Sequence, residues 1–228
     1  MAIMRPNPTT PAGAAPGCPV DEDFDPLATG QVATLAHPGG TITGLSVQQT
    51  DIAGKKIELL HEVAPGARRI GVLYDAATRE QLEAAQAAAR NLGIALLPQQ
   101  LSDATYDYEA SVRTAVAAKA QAMLVLSSGR FFPDRFVIVG VFRKYRLPYL
   151  TTTAFADAGS LLCFSVDFPQ LYVRAAELVD RILKGQKPAD IPVEQPTKLR
   201  LIVNVKTAEA LGVTIPRSLL LRADEVVQ

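Results

Sequence analysis

The sequence is poor in the residues from which chemistry is most readily read, and each scarcity removes a class of function. Cys18 and Cys163 are its two cysteines, and neither belongs to a CxxC pair, so no zinc or dithiol spacing exists. Two structural thiols are the expectation, with a disulfide between them left open. The two histidines sit apart, His37 in a Pro-Gly-Gly turn and His61 in a helical stretch, with no HExxH and no GxSxG around them. Both are expected to be solvated, and no catalytic residue and no metal ligand set is predicted. Net charge is absent too. Twenty-three basic residues balance twenty-three acidic ones, leaving no long-range field to gather phosphate backbones or anionic lipid. Nucleic acid is therefore not an expected partner. Finally, no apolar run approaches the roughly 20 residues that cross a bilayer, so no membrane span is predicted.

Two short patterns fail on inspection. Gly39 to Gly44 has the outer glycines of a phosphate loop, but Leu45-Ser46 stands where Lys-Ser/Thr is needed and the segment does not follow a strand. Asp21, Glu22, Asp23 and Asp25 are acidic but lack the glycine-centred alternation of a calcium loop. No cofactor is predicted.

What is present is ample for a folded core. At 228 residues the chain can bury about 70 to 75% of its unfolded surface, and 48% of its residues are hydrophobic. Residues 1–20 are rich in proline and small residues and are expected to form a disordered lead without the apolar segment of an export signal. Asp25-Pro26 reads as a helix start with Ala28, Val32 and Leu35 on one face. From Thr41 a strand-helix alternation begins. Extended segments are predicted at 41–47, 69–74, 94–98, 123–126, 148–151, 161–165 and 199–205. Between them lie one-sided apolar stripes such as Ile57-Leu60-Ala64, Leu82-Ala85-Ala89 and Leu171-Ala175-Leu178-Ile182. Thr78 to Gln81 and Asp167 to Gln170 read as capping boxes, and Phe132, Phe136 and Val139 as the inward face of a helix. Strands such as Ile70-Gly-Val-Leu-Tyr are apolar on both faces, as in parallel sheets covered by helices. The alternation predicts an α/β fold with a doubly wound parallel sheet.

In such sheets ligands bind beyond the carboxyl ends of the strands, where loops and helix amino termini converge. Those ends are Tyr74-Asp75, Ser127-Ser128-Gly129-Arg130 and Thr151-Thr152-Thr153, a set of short polar side chains suited to a small polar ligand. Asp75, Ser128 and Thr153 can equally serve as caps of the turns that follow them.

Several strings resemble one family in order along the chain: Asp25 to Gly30, His37 to Ser46, Lys56 to Leu60 with Ala64 to Tyr74, Leu183 to Lys198, Thr207 to Pro216 and Arg222 to Val226. They are similar to the tryptophan/tyrosine-type ABC transporter substrate-binding proteins. The resemblance implies a two-lobe type I periplasmic-binding fold, with crossing hinge strands and a small organic solute, such as an amino acid, held in the interlobe cleft without catalysis. It implies that 46–155 form the carboxyl-side lobe and that 21–45 and 156–228 form the amino-side lobe. That first lobe is expected to be incomplete, since the family's opening strand-helix units and export signal have no counterpart. Segments 41–45 and 155–159 would cross between lobes. Permease subunits are the implied partners and the periplasm the implied location. The ligand-binding residues carried over are Asp25, Tyr74, Asp75, Ser127, Ser128, Phe155 and Asp167. Asp25 or Asp167 would meet a ligand ammonium, hydroxyls and helix amino termini a carboxylate, and Tyr74 or Phe155 an apolar side chain. A ligand-sensing regulatory module of the same fold and a flavodoxin-like enzyme are the alternative readings.

Overall fold

A computed structural model of the chain describes residues 2–4, 26–27, 30–47, 49–102, 106–196 and 198–228. The proline-rich lead beyond Ala2–Met4, and Asp25 with it, lie outside these residues. The chain divides into two compact units, Met1–Gln48 with Val166–Lys198 and Gln49–Ser165 with Leu199–Gln228.

The larger unit is built on a seven-stranded sheet. Its strands are β3 (Arg69–Tyr74), β4 (Ala95–Gln100), β5 (Ala122–Val125), β6 (Tyr149–Thr151), β7 (Leu162–Val166), β8 (Leu199–Asn204) and β9 (Glu225–Val227), in the order β4-β3-β5-β6-β7-β8-β9. The pairs β3–β4, β3–β5, β5–β6, β6–β7 and β8–β9 are all parallel. Parallel pairing forces helical crossovers: α1 (Gln49–Val63) leads into β3, and α2 (Arg79–Asn91), α3 (Tyr108–Ala117) and α4 (Arg135–Lys144) connect the strands up to β6. Helices α6 (Val205–Leu211) and α7 (Arg217–Arg222) precede β9. Because the chain steps from β3 to β4 on one side and then back across to β5 on the other, right-handed crossovers put α2 and α3 on opposite faces. Helices on both sides explain why Ala122 to Val125 are buried at every position. On α2 the buried apolar residues are Leu82, Ala85 and Ala89, the stripe that the sequence predicts.

The smaller unit contains β2 (Ile42–Gly44), paired antiparallel with β1 (Ala2–Met4), and α5 (Phe168–Leu183). Buried Thr43 donates its hydroxyl to the Ile191 carbonyl at 2.7 Å. Leu45 bridges Glu194, and Val193 N–H donates to the Leu35 carbonyl at 2.7 Å.

Several expectations are corrected. Leu161 to Ser165 and the region after 198 do not belong with 21–45; strands β7, β8 and β9 are hydrogen-bonded members of the seven-stranded sheet. Strand β7, buried at all five positions, needs cover on both faces, which a place in that sheet between β6 and β8 provides. The chain passes between units after residues 48, 165 and 198, and the third of these passages lies outside the two crossing segments located in the sequence. Between Pro26 and Val47 the described residues form no helix. The Pro26 carbonyl accepts from both Gln31 and Val32, and Ala33 N–H bonds forward to the Pro38 carbonyl, a pair of turns in place of an i→i−4 ladder. Phe132 and Phe136 face outward, 44% and 55% exposed, because Phe131 takes the interior place in the turn before α4 and Ile138, Val139, Val141 and Phe142 form its buried face. The exposed rings are covered by Arg135, whose guanidinium carbon lies 4.3 and 4.6 Å from their centroids while the same group forks onto Asp157.

Cys163 is a free, fully buried thiol, and burial pushes its pKa up to about 11; its counterpart in the disulfide left open above, Cys18, lies outside the described residues. Gly159 closes the turn before β7 in the left-handed region, with φ +74°. Its carbonyl accepts from Arg143 Nη2 at 2.7 Å and Thr207 Oγ1 at 2.9 Å, which ties α4 and α6 to one point. A Cβ there would both strain the backbone and strike the Arg143 guanidinium. Gly159→Ala is expected to lose about 1 to 2 kcal/mol of stability and about 2 to 8 °C in thermal midpoint, read by circular dichroism.

Candidate ligand-binding edge of the central sheet

The strand order reverses between β3 and β5, and in doubly wound sheets the ligand crevice lies at the carboxyl ends of such a pair, because the connections leaving these neighbours depart to opposite faces. Two loops line it. After β3, Asp75 caps the short turn Ala76–Thr78: its Oδ1 accepts from Ala77 N at 3.1 Å and from Thr78 Oγ1 at 3.3 Å, and Thr78 Oγ1 accepts from Asp75 N at 3.0 Å. This reciprocal box replaces the one expected from Thr78 and Gln81. After β5, Ser128 caps the turn Gly129–Phe131 and donates its hydroxyl to Asp75 Oδ2 at 2.6 Å. The two loops are thus stitched together through a carboxylate only 2% exposed.

A third connection, from β4 to α3, brings Tyr106 to the same place. Its hydroxyl donates to Asp75 Oδ2 at 3.5 Å and accepts from Arg130 Nη1 at 3.0 Å. The Tyr106 ring packs edge-on against Tyr108 and Phe131, with centroids 6.0 and 5.8 Å away. Tyr108 in turn donates to Asp134 at 2.8 Å; burial and that carboxylate raise its pKa, so it stays protonated. No motif or spacing marks Tyr106, which lies 31 residues from Asp75.

The other expected residues fare differently. Tyr74 is half-buried, and its hydroxyl donates to Gln100 Oε1, its register partner on β4, at 3.2 Å. Phe155 is 2% exposed and belongs to the apolar core, so in this conformation it offers no surface on which a ligand could stack. Asp167 caps α5 by accepting from Gln170 N at 3.3 Å, half of the predicted box. It lines a cavity of about 500 Å³ within the smaller unit, with Leu45, Leu171, Arg174 and Glu194. There the Arg174 guanidinium forks onto Glu194 at 2.6 and 2.7 Å and holds its carboxyl below the usual range. His61 is half-buried near the end of α1, its Nδ1 without a hydrogen-bond partner, in contrast to the solvated side chain expected.

Ser127 is consumed by the fold. Its backbone N–H donates to Gln81 Oε1 and its carbonyl accepts from Gln81 Nε2, both at 2.9 Å. Its hydroxyl donates to Gln49 Oε1 at 2.8 Å and accepts from Lys56 Nζ at 2.8 Å. Lys56 is 0% exposed and also donates to Gln49 at 3.3 Å, while Gln49 Nε2 donates to Ser165 Oγ at the end of β7 at 2.9 Å. One ammonium thus fastens the start of α1 to the ends of β5 and β7. Lys56→Met preserves length but leaves Ser127 and Gln49 each short of a donor. A loss of about 1 to 3 kcal/mol in urea unfolding is expected, and a gain would mean that desolvation of the ammonium outweighs its bonds.

Known proteins are similar to the chain in sequence and fold. The chain is 28% identical to the ABC domain in complex with L-Trp from Streptococcus pneumonia, covering 90% of this chain and 71% of that one at a TM-score of 0.76. It is 26% identical to a conserved domain protein from Vibrio cholerae O1 biovar eltor str. N16961, covering 89% and 68% at a TM-score of 0.75. A tyrosine-binding protein of Clostridioides difficile (strain R20291) is 24% identical over 191 residues; the match covers 82% of this chain and 54% of that protein, so the chain spans about half the length of this curated relative. The family model of ABC transporter substrate binding proteins matches residues 22–227, and the chain belongs to that family.

Proposed function

We propose that the chain is the solute-recognition part of an ABC import system, that it takes up an aromatic amino acid at the carboxyl edge of β3 and β5, and that it delivers it to permease subunits without chemical change. The observation that carries this reading is the reversal of strand order between β3 and β5, whose following loops are already locked together through Asp75 and Ser128. A binding protein gains affinity when its polar groups need no reordering on contact with ligand. The aromatic class follows from the relatives, one solved with L-Trp and one described as tyrosine-binding, and from the Tyr106, Tyr108 and Phe131 cluster beside the crevice. Hydroxyls, aromatic rings and one guanidinium suit recognition of a zwitterion bearing a ring. A periplasmic site of action belongs to the same proposal; no helix among the described residues is long and apolar enough to cross a membrane.

Calorimetric titration of the 228-residue chain with L-tryptophan, L-tyrosine, L-phenylalanine and L-leucine tests it. Saturable heat with the aromatic ligands is expected, with a stabilisation of about 2.7 kcal/mol at a hundredfold excess over Kd. Absence of heat and of any thermal shift with all four would sink the reading.

A further inference from the structure

We infer that Arg130 and Tyr106 form the specificity element of this crevice, the guanidinium taking the ligand carboxylate and the Tyr106 ring forming the wall for its side chain. The inference rests on the proposed function and narrows it to two residues.

Position is the first argument. The loops that follow β3 and β5, residues 75–78 and 126–134, contain one arginine, Arg130, and no lysine; Arg130 is therefore their cation. It stands exposed on the turn Gly129–Phe131, whereas Lys56, which donates to Ser127, is sealed from solvent.

Charge is the second. Arg135, Arg174, Arg200 and Arg222 each have a carboxylate partner within ion-pair distance, but Arg130 pairs with none among the described residues. The carboxylate nearest in the network, Asp75, is engaged by Ala77, Thr78 and Ser128 and meets Arg130 only through the Tyr106 hydroxyl. One N–H of the guanidinium is committed to that hydroxyl, and the fork still has donors for a carboxylate.

The ring is the third. Tyr106 is half-buried, backed by Tyr108 and Phe131 at interplanar angles of 84° and 65°, and tethered at its hydroxyl end. The guanidinium carbon lies 5.8 Å from the ring centroid. A rigid aromatic wall with a cation at its rim matches an α-amino acid, whose carboxylate and side chain leave the same carbon.

The chain contains no tryptophan, so the ligand supplies all the indole in the sample and the change in its emission on binding is free of protein tryptophan. The experiment titrates L-tryptophan and L-tryptophanamide, which lacks the carboxylate, into the wild-type chain and into Arg130→Ala, Arg130→Lys and Tyr106→Phe, with thermal melts as the folding control. Arg130→Ala is expected to weaken L-tryptophan about 10- to 100-fold and the amide less than about threefold, as loss of a charge-assisted pair requires. Arg130→Lys should fall between, and Tyr106→Phe should weaken the acid more than the amide by loosening Arg130. Unchanged L-tryptophan affinity in Arg130→Ala, or equal losses for acid and amide, overturns the inference and leaves the proposed function standing. Failure of the wild-type chain to bind either compound, or L-tyrosine, overturns both.

Discussion

The ammonium of Lys56 is the constraint around which the edge of the sheet is arranged. A charge removed from water survives in a fold only where acceptors are held in place to receive it. Gln49 and Ser127 are two of those acceptors, and each is itself fixed: Gln49 by Ser165, and Ser127 by Gln81 on both its backbone groups. Shifting β5 by one residue would turn Ser127 away from the ammonium and strand several buried polar groups at once. The network therefore fixes where β5 ends, and Ser128, the next residue, is aimed at Asp75 as a consequence.

From that fixed point the chemistry of the crevice follows by elimination. Groups that satisfy one another within the fold cannot also be the main contacts of a ligand without losing what they hold. Ser127 and Phe155 are spent in this way, and Asp75 largely so. What is left at the surface is an arginine and a tyrosine ring, held from beneath by the residues that the fold has used. Binding without catalysis asks for little more, since a rigid set of complementary groups reduces the ordering cost of association.

The order of strands and helices up to β8 was legible in the sequence because central strands such as β3, β5 and β7 are apolar on both faces and the helices between them on one, so the period of the pattern announces the element. Pro26 misled because a proline after aspartate marks a turn as readily as a helix start, and the carbonyl of Pro26 is used for turns. Phe132 and Phe136 misled because a ring can be sheltered by a guanidinium as well as by a core. The site was legible only as a set of strand ends. Its wiring joins residues such as Lys56 and Ser127, or Gln49 and Ser165, which are 71 and 116 positions apart and meet only once the sheet is formed. The passage of the chain at residue 198 escaped for the same reason: strand β8 reads alike in either unit, and its pairing decides.

Overall neutrality concealed a local asymmetry. Twenty-three charges of each sign cancel over the chain, yet Lys56 and Arg130 converge on the five residues from Leu126 to Arg130, while the carboxylate that faces them, Asp75, is wrapped in hydroxyl and amide donors. A field of this kind decays over roughly 8 to 10 Å at physiological salt. It does not collect polyanions from a distance, but it acts at full strength on a small anionic group already in the crevice, where the surrounding protein screens less than water. Such a short-range field suits the carboxylate of a small solute, as proposed above.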